Sequence, residues 1–209
     1  MRRAKEPEVR KSEILDAAQR LFVEKGYSKT TVTDILNVHG LSKGVFYYYF
    51  KSKEEVMDAI IDRMVGAMEE NAKTIAANSE MSNRQKIFAI IMAQGLSEEN
   101  THDKDAMTEQ FHEAPNAEMH QKSLVQTIKR LAPVIANIVN CDDAFSTEYP
   151  LETIEFLLAG GQFIFDRGLF QWNEEETAMR ILAFIEMLER GLAAPKGYME
   201  DMKNIIAQQ

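Results

Sequence analysis

Apolar residues recur along this chain at intervals of three and four, and runs that alternate apolar with polar residues, as strands do, are few. The pattern predicts an all-α protein of about nine helices. Over Val9 to Lys25, the residues Ile14, Ala17, Ala18, Leu21 and Phe22 form one buried stripe, and Gly26 stands where a C-terminal cap belongs. Thr31-Val32-Thr33-Asp34 has the form of a capping box opening a short helix that ends near Val38, His39-Gly40 make a turn, and Ser42 caps a further short helix to about Phe50. Ser52-Lys53-Glu54-Glu55 is another such box, opening a helix that runs through Val56, Ile60 and Met64 into the seventies.

Beyond it, Ser82 with Gln85 predicts a helix to about Leu96, and a short element follows near Asp105 to Glu113, ahead of Pro115. A long helix is expected from Ala117 to Asn140, bent at Pro133, whose ring removes a donor and crowds the preceding turn. Pro150 opens a helix expected to reach Phe170, and Asn173 with Glu176 caps a last one to about Arg190.

Charge divides this series in two. The chain carries a net −9, but residues 1–53 hold 11 Lys/Arg against 6 Asp/Glu, net +5, and residues 54–209 hold 13 against 27, net −14. The expected domains follow: 1–53, and a helical body over 54–209. A basic head on an acidic body presents one end to a polyanion and turns the other away. The single cysteine, Cys141, excludes an internal disulfide and suits a reducing compartment. The charged start has no apolar stretch behind it, and the uncharged run Leu131–Cys141 is 11 residues long, too short to span a bilayer. A cytoplasmic protein without a membrane partner is expected.

Two short capped helices joined by a glycine-containing turn are the sequence form of a helix-turn-helix, whose second helix enters the major groove. With about 100° per residue, Phe46, Tyr49 and Phe50 share one face with Ser42, while Gly44, Val45, Tyr47 and Tyr48 share the other and Lys43 lies between. The first face completes a small core, and the second has no evident duty within the chain. Gly44 lets the backbone approach base edges, Val45 suits a thymine methyl, and Lys43 can donate to guanine O6/N7. Tyr47, Tyr48 and Lys53 have the reach for phosphates. Ordinary packing for the tyrosines and a solvated face for the lysines remain open for each residue singly.

The stretches Ile14-Leu15-Asp16-Ala17-Ala18, Leu21-Phe22, Gly26-Tyr27, Thr30-Thr31, Asp34-Ile35, Ser42-Lys43-Gly44 and Phe50-Lys51-Ser52-Lys53-Glu54-Glu55 resemble the DNA-binding segment of the TetR family. That resemblance implies a homodimeric regulator, usually a repressor of palindromic operators, released by a small molecule bound in the C-terminal domain. It implies that Thr31 and Thr33 contact the DNA backbone, that Lys43 to Tyr48 face the groove, and that Lys53 holds phosphate. The chain departs from the family's usual residues at Leu36, His39, Val45 and Tyr48, changes that bear on operator sequence and on the packing between the two short helices.

In the body, the resemblance points to the last two long helices as the dimer surface. Ile154, Phe156, Leu157, Leu158, Phe163, Ile164 and Phe165 are apolar nearly all round, Gly160-Gly161 permits close approach, and Ala178, Ile181, Leu182, Ile185 and Leu188 form a second stripe. An intrachain core would use the same stripes. Met107, Phe111, Met119, Phe163 and Phe170 are candidates for an effector pocket, with Leu124 beside them and Glu109, Glu155 or Asp166 as its charge; core packing is the competing role. His102, Glu109, His112, Glu113 and His120 offer spacings that could hold a metal, and Cys141 could act in redox chemistry. Neither has a second supporting motif, and no nucleotide loop, serine elbow or Cys–His pair is present. No enzyme activity, metal or cofactor is expected.

Overall fold

The structure is a computed structural model that describes residues 7–94, 116–166 and 168–207, with side chains through Asn204. Among the described residues every regular element is a helix: α1 (Pro7–Lys25), α2 (Val32–His39), α3 (Lys43–Tyr49), α4 (Lys53–Ala76), α5 (Asn83–Met92), α6 (Ala117–Asn140), α7 (Pro150–Ile164), α8 (Glu174–Gly191) and α9 (Glu200–Ala207). None of them is long and apolar enough to cross a membrane. The short element expected near Asp105 to Glu113 lies outside the described residues, as do Met107, Phe111, His102, Glu109, His112 and Glu113.

The chain divides into two compact units, and α4 and α6 each contribute to both. Of the described residues, the first unit holds 7–64 and 116–123, the second 65–94 and 124–207. In the first, α1 lies against α2, and α2 against α3. Its core is built from Ile14, Ala17, Ala18 and Phe22 of α1, Ile35 and Leu36 of α2, Phe46 and Phe50, and Val56, Met57, Ile60 and Ile61 of α4. Leu36 is absorbed into this core, and His39 is exposed.

The second unit closes around one apolar cluster. Ile87, Ile90 and Ile91 of α5 join Leu131, Ala132, Ile135 and Val139 of α6, Ile154 and Leu158 of α7, Ile181, Ile185 and Leu188 of α8, and Met199 and Met202 at the C-terminal end. Helix α6 continues through Pro133, which stands exposed, where water can meet the carbonyl that loses its donor. The α7–α8 packing is close. A Cβ on Gly161 would meet the Phe184 ring at 3.1 Å, and one on Gly191 would meet Thr153 Cγ2 at 3.2 Å, whereas Gly160 faces open space.

Helix α7 ends at Ile164, short of the expected Phe170, because Asp166 supplies a turn of its own. Its Oδ1 accepts from the amides of Gly168 (2.8 Å) and Leu169 (3.2 Å), and Trp172 Nε1 donates to the carbonyl of Ile164 at 2.8 Å. Helix α9 was not foreseen. Its approach is held by the buried Glu189, whose carboxylate accepts from the amides of Gly197 (3.0 Å) and Met199 (2.9 Å). Burial raises the pKa of that carboxyl, but the two amides, with Lys203 and Arg190 nearby, outweigh it and hold the value below the ordinary carboxylate range.

Candidate nucleic-acid interface

Caps place the two short helices. Thr31 Oγ1 accepts from the amide of Asp34 (3.1 Å) and donates to Asp34 Oδ2 (2.7 Å), which also accepts from the Thr31 amide (2.8 Å) and pairs with Lys25 Nζ at 2.8 Å. The Lys25 ammonium, ahead of the Thr31 donors, holds the Asp34 carboxyl far below its usual range. At the far end of α2, Gly40 is left-handed (φ 59°) and its amide closes onto Asn37 and Leu36, which turns the chain into α3. Ser42 then caps α3 by accepting from Val45 N. At the start of α4, Ser52 Oγ accepts from Glu55 N at 3.1 Å, while the Glu55 carboxylate reaches past Ser52 to the Lys51 amide.

Helix α3 then shows two unlike faces. Phe46 and Phe50 are buried and Tyr49 is half-buried, whereas Lys43, Gly44, Tyr47 (55 % exposed) and Tyr48 (77 %) stand in solvent, with Val45 between. The exposed tyrosines are braced rather than free to swing. Tyr47 packs edge-on to Phe46 with centroids 5.3 Å apart, and Tyr48 edge-on to Tyr49 at 4.8 Å. Among the described residues, and apart from its chain neighbours and its own helix backbone, the nearest atom to a Cβ on Gly44 would be Ser42 Oγ at 3.9 Å, so packing there does not demand glycine. Thr31 and Thr33 are exposed at the start of α2, the Thr31 hydroxyl being committed to Asp34.

Lys53 is placed differently from the others. Its Nζ donates to the carbonyls of Tyr27 (2.7 Å) and Thr30 (2.9 Å) and lies 4.1 Å from the centre of the Tyr27 ring. Burial there lowers its pKa, against the pull of Glu118. Sequence reasoning missed a second partner of this corner, Asn116, which is buried just ahead of α6. Its Oδ1 accepts from Tyr27 N (2.7 Å) and its Nδ2 donates to Phe22 O (3.1 Å). No local signal marks Asn116, because its partners are 89 and 94 residues away. Lys122 of α6 reaches Glu54 and Asp58 of α4, both at 3.0 Å, and the Asp58 carboxylate, despite some desolvation, pushes its pKa up to about 12.

Of the five effector candidates, two are brought together. Phe163 and Phe170 meet edge to face at 5.6 Å, and Phe170 stacks on Trp172, over which Arg180 lies at 3.3 Å. Met119 is buried in the first unit. The candidate acid Asp166 spends its carboxylate on the turn after α7. Cys141 is exposed, and among the described residues no group of three metal-ligating side chains assembles.

These elements define a helix-turn-helix module joined to a helical body. Residues 14–60 match the model for bacterial regulatory proteins of the tetR family, and residues 99–187 match the tetracyclin repressor-like C-terminal domain. A Lactococcus lactis HTH-type transcriptional regulator, itself uncharacterized, is 47% identical over 55 residues, 26% of this chain and 28% of its own length. The transcriptional repressor KstR2 of Rhodococcus jostii is 34% identical over 82 residues, 39% of this chain and 40% of its own. The chain thus spans well under half the length of these relatives. A crystal structure of a gamma-butyrolactone receptor superposes with a TM-score of 0.58 over 98% of both chains at 17% identity, a likeness of fold. The chain belongs to the tetR family of bacterial regulatory proteins.

Proposed function

We propose that this protein is a homodimeric transcriptional repressor that reads a palindromic operator and is released from it by a small-molecule effector. The observation that carries the reading is the split of α3: aromatic residues anchor one face in the core, and Lys43, Gly44, Tyr47 and Tyr48, with the part-exposed Val45, line a face that, among the described residues, is turned to solvent. In this reading those five enter the major groove, and Thr31 and Thr33, at the positive end of α2, meet the phosphate backbone. The basic balance of residues 1–53 draws the head to DNA, and the acidic remainder is repelled. Reading DNA places the protein in the cytoplasm.

Two exposed apolar stripes support the dimer. Phe156 (80 % exposed), Gly160, Phe163 (55 %) and Ile164 recur at helical spacing on α7, and Met179, Ala183 and Met187 do so on α8, the helix packed beside it. A two-fold partner would cover both and make a four-helix bundle. Phe163 then belongs to the partner surface rather than to a pocket. The match to a repressor-like C-terminal domain supports an effector, and linkage requires that effector to bind the DNA-free state more tightly.

Selection of random duplex DNA by the purified protein tests the reading. A palindrome should emerge, with half-sites about one helical turn apart and affinity falling steeply with salt. Recovery of no preferred sequence contradicts it.

A further inference from the structure

We propose that Lys53 and Asn116 are positioning residues for operator recognition, which fix the corner at residues 26–30 and thereby the start of α2 without touching DNA. The proposal rests on the reading of this chain as an operator-binding regulator.

The corner has little regular structure of its own. Gly26 turns the chain with φ 85°, and within five residues α2 must begin at the Thr31 cap. The backbone groups of Gly26, Tyr27 and Thr30 are met one by one. The Tyr27 peptide is held on both sides, its N–H by Asn116 Oδ1 and its carbonyl by Lys53 Nζ and by Thr30 N at 3.2 Å. Lys53 Nζ also takes the Thr30 carbonyl, and Asn116 Nδ2 takes Phe22 O, which Gly26 N shares at 3.0 Å. The buried Thr30 hydroxyl closes the ring of bonds by donating to the carbonyls of Gly26 (2.8 Å) and Leu21 (3.2 Å). Phe22 braces the Tyr27 ring edge to face at 5.1 Å, and the Lys53 ammonium covers that ring.

Lys53 in this seat has little left for a phosphate. An ammonium has three donors, two of which go to carbonyls here, while an aromatic face takes part of its charge. The corner, by contrast, depends on it, because Thr30 immediately precedes the cap that sets the direction of α2, and α2 packs on α3. Lys53 and Asn116 also stand at the beginnings of α4 and α6, the two helices shared by both units.

The test compares wild type with Lys53→Met and Asn116→Ala on two probes, the duplex recovered by selection and a shuffled duplex of equal length and composition, over a range of salt. Positioning predicts that each variant loses about tenfold or more in affinity for the selected duplex, keeps its affinity for the shuffled one, and keeps the wild-type salt slope. A phosphate contact by Lys53 predicts equal losses on both duplexes and a salt slope shallower by about 0.9 for each lost contact; that result overturns the proposal. Equal losses with an unchanged slope would mean general destabilisation and would overturn it too. Should Lys53→Met not fold, Asn116→Ala, which alters no charge, carries the comparison, and Asn116→Asp, which keeps the acceptor for Tyr27 N, should recover part of the loss. If the wild-type protein selects no duplex at all, it is the operator-binding reading that fails.

Discussion

Among the described residues, nothing packs closely enough on position 44 to require glycine there. It lies in the first turn of α3 with φ outside the left-handed region, and a Cβ there would meet Ser42 Oγ only at an ordinary contact distance of 3.9 Å, so alanine fits and is the better helix former. Gly44→Ala should therefore raise thermal stability slightly, by up to about 1 kcal/mol, and weaken operator binding, because the added methyl stands between the backbone and the base edges. Melting curves and a DNA titration on one preparation check both signs. Loss of stability, or unchanged binding, would remove Gly44 from the interface. Thr31 works in the opposite sense, since it closes the α2 cap with Asp34. Thr31→Ala should lower stability by about 1 kcal/mol, measured by denaturant unfolding, and weaken binding with it.

At the scale of elements, the C-terminal end hangs on one carboxylate. Glu189 accepts from Gly197 N and Met199 N, and Met199 and Met202 bury in the core of the second unit. The Glu189 pKa is lowered by folding, so its stabilisation is complete above the ordinary carboxylate range and fades as pH falls through the depressed folded value. Glu189→Gln should cost on the order of 1.5–3 kcal/mol at about pH 7. The gap to wild type should narrow as the pH drops below about 4. Unfolding curves at both pH values decide it, and a gap independent of pH would mean that the charge plays no part.

The elements that could be read from sequence are those whose signals are local. The capping boxes of Thr31 with Asp34, Ser82 with Gln85 and Asn173 with Glu176 all form, and so does the αL turn at Gly40. The face of α3 was legible too, because Phe46 and Phe50 separate from Tyr47 and Tyr48 by helical angle alone. What escaped depends on distant partners or on side-chain turns. The sequence predicts helix α7 to about Phe170, yet Asp166 and Trp172 stop it six residues earlier. Helix α9 is entered from Met199, whose side chain cannot accept as a cap, and is organised by Glu189, and the corner at Tyr27 is completed by Asn116 from across the sequence.

For the whole molecule, the charge split and the apolar stripes make separate claims. Phe156→Asp places a charge in the middle of the proposed two-fold surface, so the variant should elute and sediment as one 23.8 kDa chain where wild type behaves as two. Its operator affinity should fall as well, because one half-site then holds one head alone. A Phe156→Asp protein that remains dimeric would send the interface to another face. The claim on which the rest depends is that the exposed side of α3 reads DNA. It is tested most directly by the affinity of Lys43→Ala/Tyr47→Ala for the duplex that wild type selects, beside the circular dichroism and oligomeric state of both proteins. The account predicts loss of specific binding with helix content and dimer unchanged; binding at wild-type affinity by the double variant would contradict it.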